Sequence, residues 1–228
     1  MKDEDPVDSA FIETARVGAE PGHALVADGA MHQLAKLGRL HRFAPHTIFF
    51  SEGDPADSFH VILEGRVKVF SSDPDGREIV LNICGPGECL GEMALDGGQR
   101  SASVIALESV SCSVVTRQNL RDAITRDPDM ALKIIALLIG RARLATDKIK
   151  DLALRDVYQR VTRLLQGLSR DQAGVSVVSE RLSQQEIAHR VGASRDMVAR
   201  VMRELVIGGY VEVDHKVIKL IRMFPARW

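Results

Sequence analysis

The chain has 228 residues, 45% of them hydrophobic and 27% charged, so it is long enough for one large domain or two smaller ones with buried cores. No run approaches the roughly 18 apolar residues that a membrane-spanning helix needs, and the acidic N-terminus lacks the basic and apolar regions of a secretory signal. The net charge of −1 conceals an asymmetry, because residues 1–30 carry −5, residues 31–155 are neutral and residues 156–228 carry +4. We therefore expect a cytoplasmic protein without a membrane span, whose C-terminal end binds a polyanion.

The N-terminal half is predicted to be rich in short strands. Residues 1–30 are acidic and lack sustained periodicity, which predicts a flexible tail, and a short helix is expected near residues 31–37. Beyond residue 38, short apolar runs alternate with Gly- and Pro-containing turns, a pattern typical of an antiparallel sandwich or barrel. Residues 31–127 are therefore predicted to form one domain. The predicted strands are 47–50, 59–63, 67–70, 79–83, 103–106 and 112–115.

The cysteines give no sign of a metal or redox site. Cys84, Cys89 and Cys112 are odd in number, fall in strand-like stretches and form no Cys-x-x-Cys pair. No histidine lies at metal-ligand spacing from them. They are predicted to be buried, reduced thiols, and no metal site is expected.

A long helix is predicted over residues 128–155, after Asp127 and Pro128. Its apolar residues repeat every seven positions in two series three residues apart, which is the pattern of a helix that pairs with its like. Homodimerisation through this helix is the leading interpretation, and a helix packed on its own domain is the alternative. The predicted seam consists of Ile135, Leu138, Ala142, Ala145, Ile149 and Leu152, with Arg141 and Lys148 beside it.

Residues 156–228 are predicted to contain a helix at 157–168, a helix-turn-helix at 183–205 and a β-hairpin wing. Ser183 and Glu186 form a capping box, Gly192 ends the first helix, and Ser194 caps the second. Two capped helices this close together make the motif. The predicted apolar residues of the second helix are Met197, Val198, Val201, Met202 and Leu205, and the wing strands are 210–213 and 217–220.

The polar residues of the second helix are suited to DNA. Arg195 and Arg200 can each donate two hydrogen bonds to guanine, and Asp196 between them can accept one from cytosine N4. Double-stranded DNA is therefore the predicted partner. Further candidate DNA contacts are Gln184, Gln185, Ser194 and Arg203, and His189 either contacts phosphate or is merely solvated.

Three sequence blocks resemble the cyclic-AMP receptor protein and fumarate-nitrate regulator superfamily of bacterial transcription regulators. They are residues 50–67, residues 91–102, and residues 192–200, in family order and with the long helix between the second and third. The resemblance covers roughly residues 38–220. It implies an α+β fold with an N-terminal antiparallel β-roll, a long dimerisation helix and a C-terminal winged helix-turn-helix.

The second block resembles a phosphate-binding cassette for cyclic nucleotides. By resemblance, Glu92 would hold a ribose hydroxyl, Arg100 the cyclic phosphate, and Ser101 a phosphate oxygen; an arginine fork and a helix N-terminus suit a phosphate physically. The full predicted ligand set is Gly91, Glu92, Met93, Ala94, Arg100, Ser101, Ala102, Ala145 and Thr146.

The effector itself stays open between cAMP and cyclic di-GMP. The stretch 96–99 is shorter than in the family's best-known member, and Ala145 and Thr146 stand where that member has two hydroxyl residues for adenine. The iron–sulfur branch needs an N-terminal cysteine cluster that this sequence lacks, and the haem branch gains no support.

We expect a homodimeric, ligand-gated regulator that binds a palindromic site and contacts RNA polymerase, with no catalytic residues and no cofactor besides its cyclic-nucleotide effector. Two alternatives remain from the sequence: a cyclic di-GMP responder of the same family, at genes for biofilm or exopolysaccharide, and a nucleotide-binding interaction module without DNA contact. An enzyme is not expected, because no catalytic or nucleoside triphosphate constellation is present.

Overall fold

The computed structural model describes residues 27–172 and 175–225. Of these, residues up to Ser71 and Leu81–Ala142 form one compact unit, and Ser72–Val80 with residues from Arg143 onward form a second. This division falls inside the long helix, whereas the sequence predicted boundaries at residues 127 and 155. The predicted acidic tail lies outside the described residues, except that the first helix begins at Ala27, before the predicted start.

The first unit contains two four-stranded antiparallel sheets. One has the strand order β1-β8-β3-β6 and the other β2-β7-β4-β5. A short 3₁₀ helix, Glu92–Leu95, follows β6, and helix α2 follows β8. The elements are α1 Ala27–Ala35, β1 Arg39–Phe43, β2 Ile48–Phe50, β3 Ser58–Glu64, β4 Val67–Ser72, β5 Glu78–Cys84, β6 Cys89–Leu90, β7 Ser103–Ala106, β8 Val110–Thr116 and α2 Arg117–Arg126.

A core fills the space between these sheets. Ile62 from β3 and Cys112 from β8 pack with Val67 from β4 and Val104 from β7, so residues of both sheets share one buried cluster. All three cysteines are free and buried, and burial raises the pKa of each thiol to about 12. The prediction of buried, reduced thiols is therefore confirmed.

Three elements of this unit were missed from the sequence. Strand β1 was missed because Arg39, His41 and Arg42 break its apolar alternation and most of the strand is exposed. Strand β6 has only two residues. Helix α2 follows a strand directly and is capped by Thr116, which accepts from Asn119 N. The six predicted strands all exist, each within two residues of its predicted ends.

Helix α3, Pro128–Leu154, is the predicted long helix. Five of the six predicted seam residues are exposed on it, with Ile135 at 49% and Ile149 at 66%. Leu138 differs, because it is half-buried and packs against the core of the first unit. The next residue, Ile139, is 47% exposed and so lies on the open face of α3 instead of Leu138.

The second unit packs three helices against a small sheet. Its elements are α4 Val157–Gly167, β9 Ser169–Gln172, β10 Val175–Val178, α5 Gln184–Val191, α6 Arg195–Ile207, β11 Val211–Asp214 and β12 Val217–Leu220. The sheet order is β11-β12-β10-β9, so the predicted wing is present but is extended by the hairpin β9–β10, which the sequence analysis missed. Val161, Ile187, Val198, Leu205 and Ile218 lie in the core of this unit.

Among the described residues, no helix combines the length and apolar character needed to cross a bilayer.

Candidate effector pocket and DNA-recognition helix

The predicted cassette is built around Gly91. This residue has φ +85°, and a Cβ placed there would lie 2.5 Å from Arg100 Nη1 and 2.7 Å from Ser58 O. Only glycine combines that left-handed backbone with so close an approach. Gly91 therefore lets the 3₁₀ helix start directly against the Arg100 guanidinium.

Arg100 is the central cation of this site and is only 4% exposed. Its Nη2 donates to Ser58 Oγ at 3.0 Å and lies 3.6 Å from Asp57 Oδ1, while Nη1 donates to Gly91 O at 3.4 Å. Its Cζ lies 4.1 Å from the centre of the Phe50 ring, within cation–π range. The side chain is thus fixed from several sides.

The backbone also fixes Arg100. Its N–H donates to Asp54 O at 2.8 Å, and its own carbonyl accepts from Gly53 N at 2.9 Å. These bonds explain why the first and second sequence blocks occur together: the Glu-Gly-Asp-Pro turn, residues 52–55, supports the chain that carries the arginine.

One polar atom of Arg100 is unsatisfied. The buried Nε has no hydrogen-bond partner among the described residues. Burial lowers the pKa of Arg100, while Asp57, Glu92 and Asp54 act in the opposite direction. A buried N–H of a guanidinium without an acceptor is expensive, and a bound anion would supply that acceptor.

Glu92, the predicted ribose contact, forms an ion pair with Arg141 of α3. Arg141 also donates through Nη2 to Cys89 O, next to the cassette. Burial disfavours its charged form, but Cys89 and Glu92 leave its pKa above the ordinary value. The sequence analysis placed Arg141 only beside the predicted dimer seam. Arg141 lies seven residues, about two helical turns, after the buried Ile134 and so shares its side of α3.

The remaining predicted ligand residues have different surroundings. Ala94 and Ala102 are buried, Met93 is half-buried and Ser101 is exposed. Ala145 and Thr146 are exposed on the part of α3 that belongs to the second unit. The structure therefore brings together Gly91, Glu92 and Arg100 as predicted, and adds Arg141 and Phe50.

The short loop before Arg100 is held by an arginine that the sequence analysis did not identify. Arg117 Nη2 donates to Asp96 O at 3.1 Å. Gly97 has φ +76°, and a Cβ there would lie 2.2 Å from Arg117 Nη1. Gly98 N donates to Asp96 Oδ1 at 2.8 Å, which closes the turn. The loop is short, but it has defined support.

The helix-turn-helix has the predicted caps. Ser183 Oγ accepts from Glu186 N at 3.2 Å, and the Glu186 carboxylate accepts from Ser183 N at 2.6 Å. Gly192 ends α5 with φ +63°, and Ser194 Oγ accepts from Met197 N at 3.3 Å to start α6. Burial raises the pKa of Glu186, but the hydrogen bonds from Ser183 and the nearby Lys216 and Arg190 lower it overall.

The polar face of α6 is solvent-exposed. Arg195, Asp196, Arg200 and Arg203 are all exposed, as a base-reading surface requires, while Val198, Met202 and Leu205 are buried. Met197 was expected on the apolar face and is instead 45% exposed. It lies in the first turn of α6.

Residues on α5 are partly engaged within the second unit. His189 Nδ1 lies 3.2 Å from Glu78 Oε1, and its Nε2 contacts Gln185 Nε2 at 2.5 Å. Gln184 is exposed. In the wing turn, His215 and Lys216 have φ +46° and +67°, so two residues with side chains occupy left-handed positions that glycine or asparagine usually fills.

Comparison with known proteins finds one known domain over each of these two regions. A cyclic nucleotide-binding domain model matches residues 40–127, and a Crp-like helix-turn-helix domain model matches residues 159–223. Over 176 residues the chain is 33% identical to the CRP-like cAMP-activated global transcriptional regulator of Mycobacterium tuberculosis, covering 75% of this chain and 78% of that protein. The chain belongs to the CRP/FNR family of transcription regulators.

Other CRP/FNR relatives match almost the whole chain. The CRP-like protein Clp of Xanthomonas euvesicatoria pv. vesicatoria is 28% identical over 225 residues, which is 94% of this chain and 97% of that protein. The solved structure of the c-di-GMP responsive global regulator CLP of Xanthomonas campestris superposes with a TM-score of 0.76 at 27% identity. The superposition covers 86% of this chain and 99% of the Xanthomonas campestris chain.

Family membership establishes the coarse function. The protein is a DNA-binding transcription regulator with a cyclic nucleotide-binding domain, and it is not an enzyme. The α+β fold class and the order of β-rich domain, long helix and winged helix-turn-helix are confirmed. The alternative of an interaction module without DNA contact is therefore excluded.

Proposed function

We propose that this regulator is a cytoplasmic homodimer whose binding to a palindromic DNA site is gated by a cyclic mononucleotide, with cAMP as the leading effector. The observation that carries the proposal is the buried Arg100 guanidinium, whose Nε has no hydrogen-bond partner within residues 27–172 and 175–225. Contact with RNA polymerase follows as the route by which a DNA-bound dimer would act on transcription.

The Arg100 site suits a phosphodiester. A cyclic phosphate carries one negative charge and two free oxygens, which match a guanidinium whose Nε lacks an acceptor. Asp57 is the nearest carboxylate, at 3.6 Å, but its side chain is 86% exposed, so water screens much of its charge. An anion at Arg100 would therefore meet an under-neutralised cation.

The charges near the cassette favour one phosphate over two. Cyclic di-GMP has two phosphates and would need a second cationic partner, but Arg141 already pairs with Glu92, and Arg117 already donates to Asp96 O in the loop before Arg100. The relative from Mycobacterium tuberculosis that is named cAMP-activated points the same way. Cyclic di-GMP stays the alternative, because the structure with a TM-score of 0.76 is of a c-di-GMP responsive regulator.

Isothermal titration with cAMP, cGMP and cyclic di-GMP tests the effector, and DNA binding with and without each nucleotide tests the gating. We expect cAMP to bind and to raise DNA affinity, and Arg100→Ala to abolish both effects. Arg100→Lys keeps a cation and tests whether Arg100→Ala merely unfolds the unit. Arg66→Ala is the matched control, because Arg66 pairs with Glu108 in a half-exposed ion pair away from the cassette.

Two results would contradict the proposal. Equal DNA affinity in the presence and absence of every nucleotide would remove the gating. Binding of cyclic di-GMP alone would replace the mononucleotide by the alternative.

The exposed face of α3 supports the homodimer. Ile135, Ile139 and Ala142 are spaced by four and then three residues, and Ile149 lies one heptad after Ala142, as in a coiled-coil seam; each is exposed in the single chain. Ile139 replaces Leu138 in this refined seam, because Leu138 packs against its own core. A second copy of the helix would cover these side chains.

Sedimentation equilibrium of two variants tests the seam. Ile149→Glu places a charge in the proposed interface, and we expect it to yield monomers. Leu144→Glu is the matched control, because Leu144 is 40% exposed but lies on the opposite side of the helix, and we expect it to stay dimeric. Dimers of equal strength in both variants would exclude this seam.

DNA recognition by a dimer carries a geometric requirement. The two α6 helices must lie about 34 Å apart to enter successive major grooves on one face of the duplex. Binding-site selection should therefore return a palindrome, and affinity should fall steeply with salt as phosphates are neutralised.

A further inference from the structure

His60 of β3 is a buried polar residue with an unsatisfied nitrogen, and none of the cassette contacts described above involves it. Its side chain is 6% exposed, and Nδ1 has no hydrogen-bond partner among the described residues. The neighbours Phe59, Val61 and Ile62 are fully buried apolar residues. An apolar side chain in this position would avoid the penalty of an unsatisfied nitrogen.

The His60 ring lies beside an aromatic ring that Arg100 contacts. The His60 ring is 5.5 Å from the Phe50 ring, and Phe50 is the ring that Arg100 contacts at 4.1 Å. The Phe49 ring lies 5.9 Å from His60. His60 and Arg100 thus contact the same Phe50 ring, and each has one buried nitrogen without a hydrogen-bond partner in the part of the chain that the structure describes.

His60 is neutral at pH 7. Burial, followed by the positive charge of Arg100 and a smaller effect of His41, lowers its pKa to about 4, against an opposing effect of Asp57. A neutral imidazole carries one N–H and one acceptor nitrogen, so it can hydrogen-bond a ligand without adding a second positive charge beside Arg100.

We propose that His60 is a further effector-contacting residue, whose Nδ1 forms a hydrogen bond with the cyclic nucleotide held at Arg100. The proposal rests on the proposed cyclic-nucleotide function. It gives a role to a polar residue that otherwise weakens an apolar strand, because the ligand satisfies in the bound state the atom that is left unsatisfied in the free state.

Effector affinity of three variants tests the contact. His60→Phe removes the nitrogen and keeps an aromatic ring, His60→Asn keeps a polar group near the Nδ1 position, and His41→Phe is the matched control at an exposed histidine of β1. In titration with cAMP at pH 7.5, we expect about a tenfold loss for His60→Phe, corresponding to one hydrogen bond. We expect partial recovery for His60→Asn and no change for His41→Phe.

A second readout separates ligand contact from a structural role. The ¹⁵N chemical shift of His60 Nδ1 should move when wild-type protein is saturated with cAMP, and the melting temperature of His60→Phe without ligand should not fall. If His60→Phe does not fold, the His60→Asn affinity and the ¹⁵N shift decide the question.

The outcomes distinguish this inference from the function on which it rests. Wild-type affinity in His60→Phe, or an unchanged Nδ1 shift on saturation, overturns the His60 contact and leaves the cyclic-nucleotide function intact. Absence of any nucleotide binding by the wild-type protein overturns both.

Discussion

Replacing His60 by phenylalanine should make the stability of the protein less sensitive to acid. Burial, followed by Arg100, lowers the pKa of His60 from 6.5 to about 4 in the folded state. The unfolded chain therefore takes up a proton at this residue below pH 6.5 while the folded chain does not. The stabilising contribution is complete above pH 6.5 and is lost as the pH falls towards 4.

The difference between the two pKa values sets the magnitude. It corresponds to about 3 kcal/mol in total, of which about 2 kcal/mol falls between pH 7 and pH 5. The assay is urea unfolding at pH 7, 6 and 5, followed by circular dichroism. At each pH the unfolding free energy of His60→Phe is subtracted from that of the wild type. The change of this difference with pH reports His60, because the other titrating groups are common to both proteins. A difference between wild type and His60→Phe that is constant with pH would refute the reasoning.

Three further predictions concern the helix-turn-helix. Arg195→Ala should cost about 1–3 kcal/mol on the specific site and relax preference at one base pair, whereas Arg181→Ala, exposed but outside α6, should leave base preference unchanged in a binding-site selection. Ser194→Ala removes the cap of α6 and should lower the unfolding free energy by about 1 kcal/mol; an unchanged melting temperature would argue against that cap. Gly192→Ala should destabilise by about 1–2 kcal/mol in the same assay, because φ is +63° and the new Cβ would lie 2.9 Å from Leu152 Cδ2; wild-type stability would exclude the left-handed geometry.

The helix-turn-helix was predictable from the sequence because its signals are local. Ser183 and Glu186 are three residues apart, and Ser194 caps the residue three positions later, so both caps depend only on short spacings. The exposed arginines of α6 follow from the same helical period. Met197 was misplaced because periodicity identifies an apolar face but not where that face ends against its neighbours.

The effector site was only partly predictable because its decisive contacts are distant in sequence. Arg141 reaches Glu92 across 49 positions, and Arg117 reaches Asp96 across 21. The inward packing of Leu138 was not predicted either, because a heptad pattern alone does not distinguish a dimer seam from a helix face that packs on its own domain. His60 had a usable signal, because it interrupts an apolar run from Phe59 to Leu63 in which both faces of the strand are buried.

Arg141 lies at both the candidate effector site and the proposed dimer seam, which the sequence analysis treated separately. Its guanidinium pairs with Glu92 in the effector site, and along α3 it stands between Ile139 and Ala142 of the proposed seam. A ribose hydroxyl that engages Glu92 would compete for the carboxylate that now holds Arg141. Effector binding would thus change the partner of a side chain that lies on the same turn of helix as the proposed dimer seam. The candidate effector site and the proposed dimer seam are therefore expected to be coupled directly through Arg141.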